Sequence, residues 1–206
     1  MKIDGEYIFD GPREQVWEVV RDPEVLAAAL PGTQKLEQTG ENEYEGVMNV
    51  RIGPVGGVFS GKVIISDEEP PESLTLTVEG RGNPGFVKGS GRVNLSDQGD
   101  HKTLMKYNGD LQIGGRLASV GQRLLDTTSK SMIRQGLEAL NDALQAREAA
   151  RIEGGEVDYT PPTETKFMAA VTKDMFGQMF SSPTAKWVVI AVVLIVIVIA
   201  AVILTL

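Results

Sequence analysis

The sequence predicts an α+β domain in which a strongly curved antiparallel sheet wraps around a long C-terminal helix. Between Thr33 and Ile113, apolar and polar residues alternate in short runs separated by turn signals, as in consecutive hairpins. From Arg116 to about Ala149 the chain lacks proline and repeats leucine at helical spacing. Because the apolar faces of such a sheet and such a helix both need cover, packing one on the other is the simplest architecture.

The elements before this region are one strand and two short helices. Met1 to Asp10 alternates as a strand does and lacks the apolar core of a secretory signal. Pro12 stands where a first helical residue belongs, and Asp22-Pro23 repeats this signal before a second helix over Glu24 to Leu30. About six strands follow, with turns at Gly53-Pro54, Pro70-Pro71, Asn83-Pro84-Gly85 and Gln98-Gly99-Asp100.

The composition excludes several classes of function. The chain of 206 residues contains no cysteine and one histidine, His101, which lies in a predicted hairpin turn. Disulfides, thiolate nucleophiles and metal sites built from cysteine or paired histidines are therefore excluded. A net charge of -8 argues against binding to nucleic acid, whose phosphates it would repel. No motif pairs a nucleophile with a base, so we expect no catalytic residue, no metal and no enzyme activity.

The last twenty residues predict a membrane span. Residues 187–206 carry no charge and one polar side chain, Thr205. As a helix they would span about 30 Å, the thickness of a bilayer's hydrocarbon core. Lys173 and Lys186 precede this segment and place the N-terminal domain in the cytoplasm under the positive-inside rule. We expect a single-pass tail anchor in the cytoplasmic membrane, a buried hydrophobic helix being the alternative; its membrane residues include Trp187, Val188, Val189, Ile190, Leu194, Ile199 and Leu204.

The chain thus divides into four predicted segments. Residues 1–149 form the folded domain, and residues 150–164 form a polar linker rich in glycine and proline. Residues 165–182 are amphipathic, with an apolar arc that includes Phe167 and Phe180. This segment fits a helix lying in the membrane interface, or alternatively a helix packed on the domain. Residues 187–206 are the anchor.

The positions of the glycines predict a space between sheet and helix. Glycine adds no side chain to the interior and allows a strand to bend. Small residues of the predicted helix, Gly121, Thr128 and Gly136, would leave further room. Such a space is a ligand pocket, unless the glycines only permit bulges. Seven of the 23 glycines share the parity of the apolar strand positions: Gly46, Gly61, Gly80, Gly82, Gly89, Gly91 and Gly109.

The expected pocket lining is apolar or weakly polar. Because no predicted inward strand position carries a carboxylate or a lysine, we expect an apolar, largely uncharged ligand. Tyr107 and Thr128 could each provide it with a hydrogen bond. The candidate cavity residues are Met48, Val50, Phe59, Gly61, Val63, Leu76, Gly89, Met105, Tyr107, Leu124, Thr128 and Met132.

A set of short motifs resembles a known family over roughly residues 1–147. The motifs are Asp22-Pro23-Glu24-Val25-Leu26 with Leu30-Pro31-Gly32, Ile52-Gly53-Pro54-Val55 with Phe59-Ser60-Gly61-Lys62-Val63, Gly85-Phe86-Val87-Lys88-Gly89-Ser90-Gly91, and Ile113-Gly114-Gly115-Arg116-Leu117-Ala118. They resemble the G-subunit family of carbon monoxide dehydrogenase. That family belongs to the START/Bet v 1-like helix-grip superfamily, also called SRPBCC.

The resemblance implies a seven-stranded sheet that grips a C-terminal helix. It also implies a role beside a molybdenum-containing carbon monoxide dehydrogenase or a related molybdenum hydroxylase. The protein would recruit that enzyme to the membrane, or carry a non-covalently bound respiratory quinone, menaquinone or ubiquinone, to it. A membrane tether without ligand transport is a second interpretation, and a lipid-binding or cyclase-type enzyme of the same superfamily is a third. The resemblance implies no catalytic residues.

Overall fold

The structure is a computed structural model that describes residues 1–153. These residues form the predicted α+β domain, with seven antiparallel strands in a single sheet. In chain order the elements are β1 (Lys2–Phe9), α1 (Arg13–Arg21), α2 (Pro23–Ala29), β2 (Thr33–Gly40), β3 (Glu43–Ile52), β4 (Val55–Glu69), β5 (Ser73–Gly82), β6 (Gly85–Gly99), β7 (Lys102–Gly115), a 3₁₀ helix (Arg116–Val120) and α3 (Gln122–Glu153).

The strand order is β1-β7-β6-β5-β4-β3-β2. Strands β2 to β7 are joined as consecutive hairpins, and β1 pairs with β7, so β1 and β2 form the two edges of the sheet. Helices α1 and α2 connect these edge strands along the chain. The predicted count of seven strands and the run of antiparallel hairpins are confirmed. Four of the five hairpin turns coincide with the predicted turn signals, whereas the β2–β3 turn between Gly40 and Glu43 does not.

Two apolar clusters form the core. The second cluster is the smaller and joins the 3₁₀ helix and the first turn of α3 to β3 and β4 near the turn between them, through Leu117, Leu125, Ile52 and Phe59. The first cluster joins α1, α2 and the C-terminal half of α3 to the sheet. Its buried side chains are Phe9, Val16, Trp17, Val19, Val25, Ala29, Tyr44, Ile65, Leu74, Leu95, Met105, Ala139, Leu140, Ala143 and Leu144. Helix α3 therefore packs along the concave face of the sheet.

The two short helices begin close to the predicted positions. Pro12 is the N-cap of α1 and Arg13 its first residue, so the predicted first helical position is shifted by one. Asp22 caps α2 because its carboxylate accepts hydrogen bonds from the backbone N–H groups of Glu24 and Val25, at 2.8 and 3.2 Å. Helix α2 begins at Pro23, one residue before the predicted start.

The prediction of one uninterrupted helix from Arg116 is wrong. Residues 116–120 form a 3₁₀ helix, and Gly121 separates it from α3 with a φ of 90°. A right-handed helix cannot continue through a residue in that conformation. Gly121 is exposed and, contrary to the expectation from its spacing, does not contribute to the inner helix face. At the other end α3 extends to Glu153, so the first four residues of the predicted linker are helical.

The remaining predicted segments lie outside the described residues. They are the rest of the linker, the amphipathic segment over 165–182 and the tail anchor over 187–206. Among residues 1–153, no helix combines the length and the apolar character that crossing a bilayer requires. The anchor therefore remains a prediction from the sequence.

Candidate ligand-binding site

The strand register confirms that the seven glycines face the concave side of the sheet. Gly46, Gly61 and Gly80 lie directly opposite one another across β3, β4 and β5. Gly91 and Gly109 form a second opposed pair across β6 and β7. These positions have the parity of buried core residues such as Phe59 and Met105, whose side chains point toward α3. The two glycine rows are separate on the inner face, because Gly80 lies opposite Val87 on β6 and Gly91 lies opposite Leu76 on β5.

Most of these glycines are explained by the close approach of neighbouring strands. A Cβ atom on Gly61 would lie 2.8 Å from the carbonyl oxygen of Glu79, and one on Gly89 would overlap the carbonyl oxygen of Asp110. The expectation that Gly61 and Gly89 leave empty interior volume is therefore wrong, although both face inward. Gly80 differs, because an added Cβ there would meet no atom within 4 Å.

The predicted cavity residues divide between the two core clusters and the region between them. Phe59, Met105 and Thr128 are buried. Val63 and Leu76 pack against the first cluster, and Val50 and Leu124 pack against the second. Met48, Tyr107 and Met132 are half-buried and belong to neither cluster of the described domain. The structure therefore places these last three side chains along the gap between the clusters.

Tyr107 is a half-buried polar group on the inner face of β7. Its ring lies across the backbone of Gly5 on β1, where an added Cβ would be 2.6 Å from the ring carbon that bears the hydroxyl. Burial, followed by the negative charge of Asp4, raises the pKa of Tyr107 above its ordinary value. The phenol is therefore neutral at physiological pH and can donate a hydrogen bond.

The chemistry of the inner face is apolar. In the part of the sheet between the two clusters, no inward strand position carries a carboxylate, a lysine or an arginine. His101 lies in the turn between β6 and β7 and is exposed. Within residues 1–153, no three His, Cys, Asp or Glu side chains are grouped so that they could hold a metal ion. The arrangement can bind an uncharged apolar molecule with one or two hydrogen bonds.

The CoxG family, which comprises the G subunits of carbon monoxide dehydrogenase, matches residues 5–145. The chain belongs to this family. The match covers the sheet, both short helices and most of α3, and the resemblance seen in the sequence motifs is confirmed. No curated protein sequence matches this CoxG chain.

Solved structures share the fold of this CoxG domain. A conserved protein from Geobacillus kaustophilus is 29% identical, with a TM-score of 0.68 over 70% of this chain and 95% of that one. The Zhui aromatase/cyclase from Streptomyces sp. R1128 is 15% identical, with a TM-score of 0.55 over 76% and 99%. A START superfamily protein from Mycobacterium smegmatis is 12% identical, with a TM-score of 0.54 over 70% and 97%. At such identities the last two show a common helix-grip fold alone.

The CoxG domain also has a depression that sequence reasoning missed. It has a volume of about 400 Å³ and lies at the end of the β5–β6 hairpin. None of the twelve predicted cavity residues lines it. The alternation pattern assigns half of these hairpin positions to the solvent side, so the signals that mark the place are the turn at Asn83-Pro84-Gly85 and the inward glycines Gly80 and Gly82. The lining residues are Glu79, Gly80, Arg81, Gly82, Gly85, Phe86, Val87 and Lys88.

Proposed function

We propose that this CoxG-family protein binds a hydrophobic ligand between its curved sheet and α3. The observation that carries the proposal is the half-buried, uncharged stretch of concave face between the two core clusters. A well-packed core of this size would bury such positions. An apolar ligand beside Met48, Tyr107 and Met132 would complete that burial, whereas a charged ligand would find no partner on the strands.

An isoprenoid quinone, menaquinone or ubiquinone, is the ligand class that we propose. Its chain is apolar, and its ring carbonyls accept hydrogen bonds of the kind that the Tyr107 hydroxyl donates. The family name links the protein to carbon monoxide dehydrogenase, an enzyme whose electrons need an acceptor. In this proposal the protein brings a molybdenum-type dehydrogenase to the membrane, carries quinone to it, or does both.

The proposed location is the cytoplasmic membrane, with a single pass and the N-terminal domain in the cytoplasm. It is supported by the uncharged segment over 187–206 and by the lysines that precede it. Anchoring suits the proposed ligand, because an isoprenoid quinone is nearly insoluble in water and is available only in the bilayer.

A membrane tether without ligand transport is the second candidate. It is favoured by the close strand approach at Gly61 and Gly89, which reduces the interior volume inferred from the glycines. A cyclase-type enzyme is the third candidate, supported by the fold shared with Zhui. We propose that the protein is not an enzyme, because the inner face between the two clusters of the described sheet presents no carboxylate, lysine or histidine that could act with Tyr107 in acid–base catalysis.

Ligand extraction from the full-length protein tests the proposal. The protein is purified from membranes in mild detergent, and its bound lipids are extracted and quantified by mass spectrometry. Gly80→Leu places a branched side chain over the open position, and Gly80→Ala is the matched control with little bulk. We expect quinone to copurify with the wild-type and Gly80→Ala proteins, and to be largely lost from a folded Gly80→Leu protein. Absence of quinone from wild type would favour the tether, as would equal occupancy in both variants.

A further inference from the structure

One end of the sheet's convex face combines exposed apolar side chains with unpaired positive charge. Within the described residues, three large hydrophobic side chains are exposed: Ile8 at 52%, Val58 at 47% and Phe86 at 45%. Val58 and Phe86 lie toward the β3–β4 and β5–β6 turns, whereas Ile8 lies at the opposite end, near the start of α1. The exposed apolar surface is therefore concentrated at one end.

The register places cationic and aromatic groups side by side there. Arg81 on β5 lies opposite Phe86 on β6, and Phe86 lies opposite Gly114 on β7. The ring of Phe86 covers Gly114, where an added Cβ would be 2.5 Å from the ring carbon Cζ. Because Gly114 has no side chain, the ring lies low on the convex face. Arg81 and Phe86 also line the depression at this hairpin.

The charge at this end is opposite in sign to that of the whole chain, which carries -8. Lys88 pairs with Glu79 at 2.6 Å, and the remaining nearby acid, Asp126, is half-buried. Four exposed arginines at this end form no ion pair with any residue in the range 1–153. They are Arg51, Arg81, Arg116 and Arg123.

We propose that this basic end, defined by Arg51, Val58, Arg81 and Phe86, docks onto the surface of an anionic lipid bilayer. Arginines near an anionic leaflet each strengthen binding about fivefold. Apolar side chains such as phenylalanine are buried at the boundary between headgroups and acyl chains when cationic side chains lie beside them. An acidic protein surface is the other class of partner that could neutralise the arginines. The exposed side chains of Phe86 and Val58 favour a lipid bilayer over an acidic protein, because an anionic bilayer accepts apolar side chains together with cations.

The chain length permits this contact. Residues 154–186 separate α3 from the predicted anchor, and a segment of that length reaches at most about 110 Å when extended. Helix α3, with 32 residues, is about 48 Å long. An anchored chain can therefore present the basic end to the bilayer. This docking goes beyond the proposed function, because it requires neither a bound quinone nor a partner enzyme.

A site-specific label can detect the docking in the full-length protein. The chain has no cysteine, so single labels can be introduced without removing native residues of that type. Val58→Cys carries the test label, and Ile8→Cys is the matched control, since both replace exposed β-branched residues on the convex face. Each protein is reconstituted into vesicles of phosphatidylcholine, with or without phosphatidylglycerol, and quenching by brominated lipid is measured. Both labelled proteins contain residues 187–206, so the predicted anchor contributes equally to the two measurements.

In vesicles with phosphatidylglycerol, we expect the label at position 58 to be quenched at least about twofold more than the label at position 8. In vesicles of phosphatidylcholine alone, we expect no difference between the two positions. Salt at about 0.5 M should remove the difference. Arg81→Gln and Phe86→Ser should each reduce quenching at position 58, whereas Lys106→Gln, which removes an exposed charge farther along the convex face, should not. Equal quenching at both positions, or quenching that is independent of anionic lipid, overturns the proposal. The proposal is also overturned if the signal of the label at position 58 changes on addition of an acidic protein but not on addition of any vesicle.

Discussion

Gly61 and Gly80 lie directly opposite each other on β4 and β5, yet only Gly80 has open space above its Cα. A Cβ on Gly61 would lie 2.8 Å from the carbonyl oxygen of Glu79, whereas one on Gly80 would meet nothing within 4 Å. Neither residue has a positive φ, so the difference between them is one of space rather than of backbone conformation. Two neighbouring glycines therefore serve different purposes.

We predict that Gly61→Ala and Gly80→Ala change stability in different ways. Gly61→Ala should destabilise the domain by about 1–3 kcal/mol, because two backbones must move apart to admit the methyl group. Gly80→Ala should be neutral, or stabilising by about 0.5 kcal/mol through the lower entropy of the unfolded chain. Urea denaturation of the full-length protein in mild detergent measures both values. Equal destabilisation by the two alanines would contradict the assignment of open space to Gly80.

The same pair of glycines shows how far the sequence alone could predict the site. Alternation of period two placed both on the inner face, and turn signals predicted the run of consecutive hairpins, because both depend on local chemistry. Whether a carbonyl oxygen lies too close to a given glycine to admit a Cβ atom depends on the curvature of the whole sheet. The prediction that Gly121 lies on the inner face of the helix was wrong for a similar reason. Helical periodicity cannot reveal a φ of 90°, which breaks the helix between two apolar stretches.

A second prediction concerns the ion pair between Arg147 on α3 and Asp22 at the start of α2. Burial would raise the pKa of Asp22, but the hydrogen bonds from Arg147, Val25 and Glu24 and the charge of Arg147 outweigh it and lower the pKa. The carboxylate therefore stabilises the folded state above its unfolded pKa, and this contribution is lost as pH falls through the lower folded pKa. We expect stability to decline below about pH 4 partly through this group.

Two substitutions separate the cap from the ion pair. Asp22→Ala should cost about 1–2 kcal/mol at neutral pH, because it removes both the cap of α2 and the partner of Arg147. Asp22→Asn keeps an N-cap acceptor and should cost less, while making stability less sensitive to acid. Denaturant midpoints at neutral pH and at about pH 3 test this. If Asp22→Asn and wild type lost stability equally on acidification, the carboxylate would not be responsible.

The third prediction uses the contact between Gly5 and Tyr107. Gly5→Ala would push the Tyr107 ring aside, since a ring on a flexible side chain moves more easily than a strand. A displaced ring is more exposed, so the raised pKa of Tyr107 should fall toward its ordinary value. NMR titration of ring-labelled tyrosine measures this shift, with Tyr107→Phe identifying the resonance. A Tyr107 pKa unchanged in Gly5→Ala would show that the ring does not cover Gly5.

The last prediction concerns the C-terminal segment. Residues 187–206 are uncharged and long enough to cross the hydrocarbon core, so deleting them should release the protein from membranes. The amphipathic residues 165–182 and the basic end would then provide only weak, reversible attachment, because interfacial contacts depend on anionic lipid and are screened by salt. Fractionation of cells expressing the full-length and truncated chains, with washes at high salt and alkaline pH, measures this difference. The full-length chain should resist both washes. A truncated chain that resisted them equally would exclude the anchor and assign membrane attachment to the residues before it.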